Sequence, residues 1–232
     1  MVQRYLEVRR LGRVGYANAL GLQKELEAEV IAGRTCDYLL LLEHPHTFTL
    51  GRRSKNEGVL ATPDVLRTLG VEVFETDRGG KVTYHGLGQI VGYPVISLSP
   101  DREDVHKYVR DLEEVLIRTL MHFGIEAFRI DGLTGVHTVE GKIAAIGVHI
   151  KRWVTTHGFA LNVTTDLSYY NWIIACEGEP VTSMERLLGC EVDMAEVEDR
   201  IEANFRDVFV FNSATSASTS VASAFDRSLS AN

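Results

Sequence analysis

Cys176 and Lys142 are the two residues whose side chains and surroundings suggest covalent chemistry. Cys176 lies in NWIIACEGEPVTSM, between an apolar run and a Gly and Pro pair, so a turn there would hold its thiol near the surface, where a thiol can act as a nucleophile. Lys142 opens the strand-like segment KIAAIG, and apolar surroundings favour the neutral amine that a base requires. Considered one at a time, each residue also has an ordinary explanation. Cys176 can be a packed core cysteine, and Lys142 can be a lysine at the end of a strand.

The segment RGGKVTYHGLGQIVGYP, residues 78–94, has five glycines among residues that otherwise alternate as in a β-strand. Glycine in a strand usually marks a bulge or a place where another group approaches the backbone closely. A ligand-binding wall and a tight bend are both consistent with this composition. The spacing matches neither GxxxxGK[ST] nor GxGxxG after a strand, so these motifs do not indicate nucleotide binding. His85 can act as an acid, a base or a donor to a carbonyl, or it can be a packed or exposed histidine.

The remaining histidines and cysteines do not predict a metal site. His44, His46, His137, His149 and His157 lack the HExxH or CxxC…HxxxH spacing that ligand geometry imposes. The three cysteines cannot all pair and show no CxxC spacing, so neither a disulfide framework nor a zinc ribbon is indicated. We therefore expect no bound metal, and no role is assigned to the two other cysteines, Cys36 and Cys190.

The elements that must position these residues follow from the hydrophobic pattern. YANALGLQKELEAEVIAG predicts a first helix, and DYLLLLEHP predicts a buried strand after it. Between Asp101 and Gly124, apolar residues recur every three or four positions, which predicts the most strongly amphipathic helix of the chain. IEAFRI, TGVHTV, KIAAIGVHI and WVTTHGFALNV then predict successive strands joined by turns, and hence a mixed or antiparallel sheet.

Two helices are predicted to end the fold. Thr182 and Glu185 form a capping box for the first of them, and Asp193 and Glu196 begin the second. Residues 212–232 are small and polar and are expected to form a disordered tail. Residues 1–211 are then one α/β domain, a size that is ordinary for a single domain.

Composition and charge limit the classes of partner. The chain of 232 residues is 45% hydrophobic and 24% charged, as in globular proteins that dissolve in water. The sequence has neither an apolar run of about 18 residues nor the apolar centre of a secretory signal, so we expect no membrane association and a cytoplasmic location. The net charge of −8 argues against a nucleic-acid partner. A local group of basic residues could still dock an acidic protein, and it comprises Arg52, Arg53, Lys55, Arg78 and Lys81.

Taken together, several segments resemble the octanoyl-carrier-protein:protein octanoyltransferases, also called lipoyl transferases. The segments are LLLEHPHTFTLGRR, RGGKVTYHGLGQIVGYP, GKIAAIGV, HGFALNVTTDL and IIACEG, and the resemblance covers nearly the whole chain except the tail. It implies a catalytic domain like that of biotin and lipoate protein ligases, with a mixed central β-sheet flanked by helices. The strands and helices predicted above agree with that fold.

The resemblance also assigns roles to residues. The lysine of the KxAAxG motif and the cysteine of the Pro-Cys-Gly type of motif form a dyad in that family, which implies that Lys142 is the base and Cys176 the nucleophile. Three further matched segments imply an acyl-binding site, and their residues are Arg78, Gly79, Gly80, Lys81, Val82, Thr83, Tyr84, His85, Ala145, Ile146, Gly147, Gly158, Phe159 and Ala160.

Two departures from the family pattern lie near these residues. Leu87 stands where the family commonly has proline, and Ala175-Cys176-Glu177 replaces the usual Pro-Cys-Gly. Glu177 removes a glycine that could adopt a positive φ, and its carboxylate would raise the pKa of the neighbouring thiol. Neither change removes a reacting group.

The implied activity is the first step of lipoate cofactor biosynthesis, in which an octanoyl (or lipoyl) group passes from its acyl carrier protein thioester, octanoyl-acyl carrier protein for the octanoyl group, to a lysine. The implied acceptors are the lipoyl domains of 2-oxoacid dehydrogenase E2 subunits and the glycine cleavage H protein, and neither ATP nor a metal is expected. Three alternatives remain at this point. They are an ATP-dependent lipoate ligase of the same fold, a non-catalytic module that binds acyl groups or carrier protein, and a cysteine hydrolase.

Overall fold

The computed structural model describes residues 5–33, 36–54, 58–174 and 179–211. Cys176 and the predicted tail from residue 212 lie outside the described residues. The order of elements is β1 (Tyr5–Arg13), α1 (Tyr16–Ile31), β2 (Cys36–Glu43), β3 (Thr47–Leu50), α2 (Pro63–Leu69), β4 (Glu72–Glu75), β5 (Val82–His85), β6 (Gln89–Val95), α3 (Val105–His122), β7 (Val136–Thr138), β8 (Gly141–Lys151), β9 (Val154–Asn162), a 3₁₀ helix (Leu167–Trp172), α4 (Met184–Leu188) and α5 (Met194–Val208).

The strands form a large mixed sheet and a small one. The large sheet has six strands in the order β1-β2-β6-β9-β8-β7, with β1 and β2 parallel and the other neighbours antiparallel. The small sheet has the order β4-β3-β5 and also mixes parallel and antiparallel pairs. The predicted fold class, a mixed central sheet flanked by helices, is confirmed.

Strand β2 shows why both faces of the large sheet are covered. Leu39 and Leu41 pack in a core cluster with residues of α3 and α5, whereas Leu40 and Leu42 pack with α1 in a second cluster. Successive side chains of a strand point to opposite faces, so a continuous apolar run is buried on both. The first predicted helix and the buried strand after it are therefore confirmed.

The predicted order of elements lacks the strand β1, which precedes the first helix. Its sequence, YLEVRRLGR, is rich in arginine and gives no clear apolar alternation. β1 lies at the edge of the large sheet, where Arg10 reaches the acidic residues Asp199 and Glu202 of α5. Pairing with β2, these ion pairs and the packing of Leu6 and Val8 against the core account for the strand.

Two local predictions are wrong. IEAFRI is not a strand, because only Phe128 pairs there, through an isolated bridge to His137. Its Arg129 instead binds the carboxylates of α3. The cap of α4 is Ser183 rather than Thr182, since the Ser183 hydroxyl accepts from the backbone N–H of Arg186. By contrast, Asp193 caps α5 as predicted.

Candidate active site

Lys142 lies at the start of β8, on the wall of a cleft of about 250 Å³. The residue is only 8% exposed. Its backbone is fixed to the chain that follows Cys176, because its N–H donates to the carbonyl of Pro180 and its carbonyl accepts from Thr182. We call this cleft the lysine cleft, and it is lined by Arg53, Arg78, Gly80, Lys81, Val82, Thr83, Gly132, Leu133, Thr134, Lys142, Ala145, Ile146 and Glu179.

One carboxylate lies beside both Lys142 and His137. The Glu179 Oε2 atom is 4.0 Å from the Lys142 Nζ atom and 3.5 Å from the Nε2 atom of His137. Burial and then the charge of Lys142 lower the pKa of His137, and the hydrogen bond to Glu179 opposes them. Neutral His137 can therefore donate its Nε2 proton to the carboxylate, which leaves Glu179 as the counter-charge for an ammonium on Lys142.

The side chain of Lys142 is held in place by Gly135. A Cβ at this glycine would lie 2.6 Å from the Lys142 Cε atom, and its φ of +122° disfavours any other residue. The backbone N–H of Gly135 donates to the buried Glu113 carboxylate, which also accepts from Arg110 and Arg129. Glu113 therefore links α3 to the loop that supports the lysine.

Glu113→Ala is expected to destabilise the fold by about 3 kcal/mol, because it leaves a buried N–H group without its acceptor and removes the buried carboxylate that binds Arg110 and Arg129. The free energy of unfolding in urea measures this loss. Glu114→Ala is the matched control, since Glu114 binds Arg129 as well but is 32% exposed. That variant should lose less than about 1 kcal/mol. Equal losses in the two variants would contradict a special role for the Glu113 carboxylate.

A smaller cavity of about 40 Å³ adjoins the lysine cleft. The two share Arg78, Thr83, Ala145 and Ile146 as wall residues. Aromatic and small residues form most of the remaining wall, so it suits an apolar group. We call it the inner cavity, and it is lined by Tyr16, Arg78, Thr83, His85, Tyr93, Ala145, Ile146, Gly147, His157, Gly158, Phe159 and Ala160.

Most of the residues assigned to the acyl site therefore lie around these two connected spaces, and two do not. Tyr84 projects from β5 away from both, where its ring stacks on Tyr169 and its hydroxyl bonds to His46. The alternation of a strand explains this, because Thr83 and His85 take the opposite face. Gly79 lines neither space. Its backbone N–H donates to the carbonyl of Val148 and so fixes the segment against β8.

A chain of hydrogen bonds fixes the polar side of the inner cavity. The guanidinium of Arg78 donates to the hydroxyl and the carbonyl of Thr49, and that hydroxyl lies 3.4 Å from His85 Nε2. Burial, with the nearby His44 and Arg78, lowers the pKa of His85 well below its usual value. Neutral His85 then donates from Nδ1 to the Gln89 Oε1 atom and accepts from Thr49 at Nε2.

Glycine at positions 147 and 158 is explained by close approach of the backbone. A Cβ on Gly147 would lie 2.8 Å from the carbonyl oxygen of Gly79, and one on Gly158 would lie 2.1 Å from that of Gly92. These two glycines are directly opposite each other in β8 and β9. The carbonyls of Gly79 and Gly92 therefore occupy the space that a side chain at either position would need.

Several wall residues were not predicted from the sequence. Tyr16 and Tyr93 line the inner cavity, Thr49 orients Arg78, and Glu179 faces Lys142. Tyr16 comes from α1, far from the glycine-rich segment in sequence, and no local pattern marks it. His157 was considered only as a possible metal ligand, although its position directly before Gly158 in HGFALN could have indicated the cavity.

Within residues 5–33, 36–54, 58–174 and 179–211, no group of three His, Cys, Asp or Glu side chains is arranged to hold a metal ion. None of the helices described there is long and apolar enough to cross a bilayer.

Comparison with known proteins identifies the family. Residues 15–206 match the lipoyl protein ligase A/B catalytic domain. An octanoyltransferase of Solibacter usitatus (strain Ellin6076) is 51% identical over 216 residues, which cover 93% of this chain and 98% of that protein. The chain belongs to the octanoyltransferase family. It is an acyltransferase, and an octanoyltransferase of Koribacter versatilis (strain Ellin345) is 49% identical to it over 88% of this chain and 84% of the relative.

Solved structures agree on the fold of this octanoyltransferase family member. A bipartite lipoate protein ligase from Thermoplasma acidophilum superposes with a TM-score of 0.70 at 19% identity, covering 91% of this chain and 86% of that one. A biotin protein ligase from Aquifex aeolicus, in complex with biotin and ATP, gives a TM-score of 0.55 at 10% identity and covers 89% and 70%. At such identities the likeness concerns the fold alone.

Proposed function

We propose that this acyltransferase moves an octanoyl or lipoyl group from the corresponding acyl carrier protein thioester, chiefly octanoyl-acyl carrier protein, to a lysine of a lipoyl domain, through a thioester on Cys176 and with Lys142 as the base. The acceptors would be the lipoyl domains of 2-oxoacid dehydrogenase E2 subunits and the glycine cleavage H protein. The reaction would require no cofactor, neither ATP nor a metal ion.

The position of Lys142 is the observation that carries the proposal. Its amine lies in a cleft that shares walls with the inner cavity, so an acyl chain can enter the cavity while its carbonyl stays near the amine. Glu179, whose carboxylate is 4.0 Å from that amine, is three residues from Cys176 along the chain. Residues three apart in the chain have Cα atoms at most about 11 Å apart, so the Cα atom of Cys176 lies within that distance of the Cα atom of Glu179.

In the first half-reaction, the neutral amine of Lys142 takes the proton of the Cys176 thiol. The thiolate attacks the carbonyl of the carrier thioester, and a new carbon–sulfur bond forms as the bond to the carrier sulfur breaks. The departing carrier thiolate takes the proton from the Lys142 ammonium. This step leaves an octanoyl thioester on the enzyme, a free carrier thiol and a neutral lysine.

In the second half-reaction, the amine of the acceptor lysine attacks the enzyme thioester. A carbon–nitrogen bond forms, the bond to Cys176 breaks, and Lys142 accepts the proton that the attacking nitrogen loses. The thiolate and the ammonium are then restored as a pair, with Glu179 beside the ammonium. One proton-accepting group is therefore enough for both halves.

A group of exposed basic residues at the mouth of the lysine cleft fits an acidic carrier protein. Arg52, Arg53 and Lys81 form this basic rim, and two of them, Arg53 and Lys81, line the cleft. Backbone hydrogen bonds hold the segment together, since the N–H of Arg53 donates to the carbonyl of Gly80 and that of Gly51 to the carbonyl of Lys81. Arg78 is buried and does not belong to the rim.

Reversing the charge of the rim, in a variant with Arg53→Glu and Lys81→Glu, is expected to raise the KM for octanoyl-acyl carrier protein about tenfold or more, because complementary charge guides association. The kcat/KM for a small uncharged octanoyl thioester should fall much less, because that donor has no acidic surface for the rim to guide. Steady-state kinetics with the two donors measure the difference. A variant with Arg67→Glu and Arg200→Glu, two exposed arginines outside the rim, is the matched control. An equal KM increase in both variants would contradict docking at the rim.

The decisive experiment omits ATP. The protein is mixed with octanoyl-acyl carrier protein, its intact mass is measured, and a lipoyl domain is then added. The proposal predicts a gain of one octanoyl group, mapped to Cys176, that passes to the acceptor lysine. Acceptor modification only when ATP is supplied would favour the ligase. Octanoyl retained without a covalent bond would favour a binding module, and rapid release of octanoate would favour a hydrolase.

A further inference from the structure

His157 forms part of the wall of two separate spaces. On one side it lines the inner cavity, and on the other it lines a surface cleft of about 450 Å³ that also contacts Asp77, His149 and Lys151. We call the second space the outer cleft. Of the residues that line the inner cavity, His157 is the one that also lines the outer cleft. Its side chain therefore stands between the inner cavity and the outer cleft.

The side chain of His157 is held firmly in this position. Its Nε2 atom lies 2.8 Å from Asp77 Oδ1, and its backbone N–H donates to the buried Gln23 Oε1 at 2.7 Å. The residue is 2% exposed and has a φ of +56°, a conformation that non-glycine residues rarely adopt. Strained residues persist only where the surrounding structure fixes them, so the fold maintains this orientation.

His157 lies at the opposite end of the acyl site from Lys142. In the register of β8 and β9, His157 faces Val148, six residues beyond Lys142, and the lysine side chain and the acyl chain together span this backbone separation of roughly 20 Å. The positions between, Ala145–Gly147 and Gly158–Ala160, line the inner cavity. An acyl group whose carbonyl is near Lys142 therefore points its methyl end towards His157.

We propose that His157, anchored by Asp77, closes the far end of the acyl site and sets the longest acyl chain that the enzyme accepts. This inference rests on the proposed function. A polar ring that is hydrogen-bonded to a carboxylate is a poor neighbour for additional methylene groups, because they would have to displace the ring from its partner. Behind the ring, the outer cleft offers space for a longer chain.

Asp77 can be removed without changing the backbone at His157. Its side chain is 51% exposed, and its second oxygen lies 3.7 Å from His149. Asp77 is thus a positioning residue that acts through His157. Asp77→Ala keeps the imidazole but frees it to turn, so it should relax the length limit less than loss of the ring does.

The test compares octanoyl, decanoyl, dodecanoyl and tetradecanoyl thioesters of the carrier as donors. In His157→Gly, the ratio of kcat/KM for dodecanoyl to that for octanoyl should rise at least about tenfold, since each additional buried CH2 is favourable once space exists. Glycine accepts the positive φ at this position, so this variant is the one expected to fold. An unchanged ratio in folded His157→Gly overturns the proposal.

Two further variants complete the test. His149→Ala removes the other histidine beside Asp77, one that lines the outer cleft but not the inner cavity, and should leave the length profile unchanged. A tenfold rise in the dodecanoyl ratio in that variant would also overturn the proposal. If His157→Gly does not fold, Asp77→Ala decides the matter, and an unchanged profile in it counts against the role of His157.

A binding measurement separates this inference from the proposed reaction. Thermal stabilisation of wild type and variant by the free fatty acids of eight to fourteen carbons reports the depth of the cavity without any transfer. If no acyl transfer is found but dodecanoate stabilises only His157→Gly, the length limit holds and the proposed reaction fails. If transfer occurs with the same length preference in both proteins, the reaction holds and the length limit fails.

Discussion

Cys176→Ala is expected to form no covalent octanoyl adduct and to lower kcat/KM for transfer to a lipoyl domain by at least about 10³-fold. A methyl group cannot attack the carrier thioester, so only direct attack by the acceptor lysine remains, which lacks the two-step route through an acyl-enzyme. Intact mass after a short incubation measures the adduct, and a transfer assay measures the rate. A normal adduct in this variant would show that another group carries the acyl chain.

The two other cysteines are the matched controls. Cys36 is half-buried, its thiol donates to the carbonyl of Asp37, and burial raises the pKa of that thiol, so it stays protonated and is a poor nucleophile. Cys190 is exposed. We expect Cys36→Ala and Cys190→Ala to keep both the adduct and the transfer rate. Loss of the adduct in either variant, with Cys176 present, would place the acyl group on a different thiol.

The parts of the fold that the sequence predicts are those whose pattern is local. The continuous apolar run of β2 and the three- and four-residue spacing in α3 depend only on neighbours in the chain. β1 was missed because only Leu6 and Val8 alternate before its arginines, and because its pairing with β2 and its ion pairs to α5 involve residues far away in sequence. IEAFRI has the composition of a strand, but its Arg129 forms ion pairs with Glu113 and Glu114 of α3 instead.

The candidate site also has residues that a local pattern predicts and residues that only tertiary packing brings in. Its motif segments were found because they are contiguous, and the fold brings most of residues 78–85, together with residues 145–147 and 158–160, around two adjoining spaces. Tyr16, Tyr93 and Thr49 join them only through tertiary packing. The alternation within β5 also divides a contiguous motif, so that Thr83 and His85 face the cavity while Tyr84 packs on the other side. A motif therefore locates a site, and the strand geometry decides which of its residues face it.

Lys142→Arg is expected to slow formation of the Cys176 adduct by at least about 100-fold while leaving the fold intact. A guanidinium keeps its charge at all relevant pH values, so it can pair with Glu179 but cannot accept the thiol proton. Rapid-quench measurement of the adduct gives the rate, and unfolding in urea checks the fold. Lys151→Arg is the matched control, since Lys151 ends the same strand and is exposed.

Chemical rescue separates the proton transfer of Lys142 from its charge. In Lys142→Ala, removal of the side chain leaves space in the lysine cleft, and ethylamine in the buffer should restore part of the acylation rate by acting as the missing base. The same amine should not help Lys142→Arg, where the guanidinium occupies that space. Rescue that rises with pH, as the neutral fraction of ethylamine rises, would identify the free amine as the active form. Near-normal acylation in Lys142→Arg without any added amine would remove Lys142 as the base, because a permanent positive charge would then be sufficient.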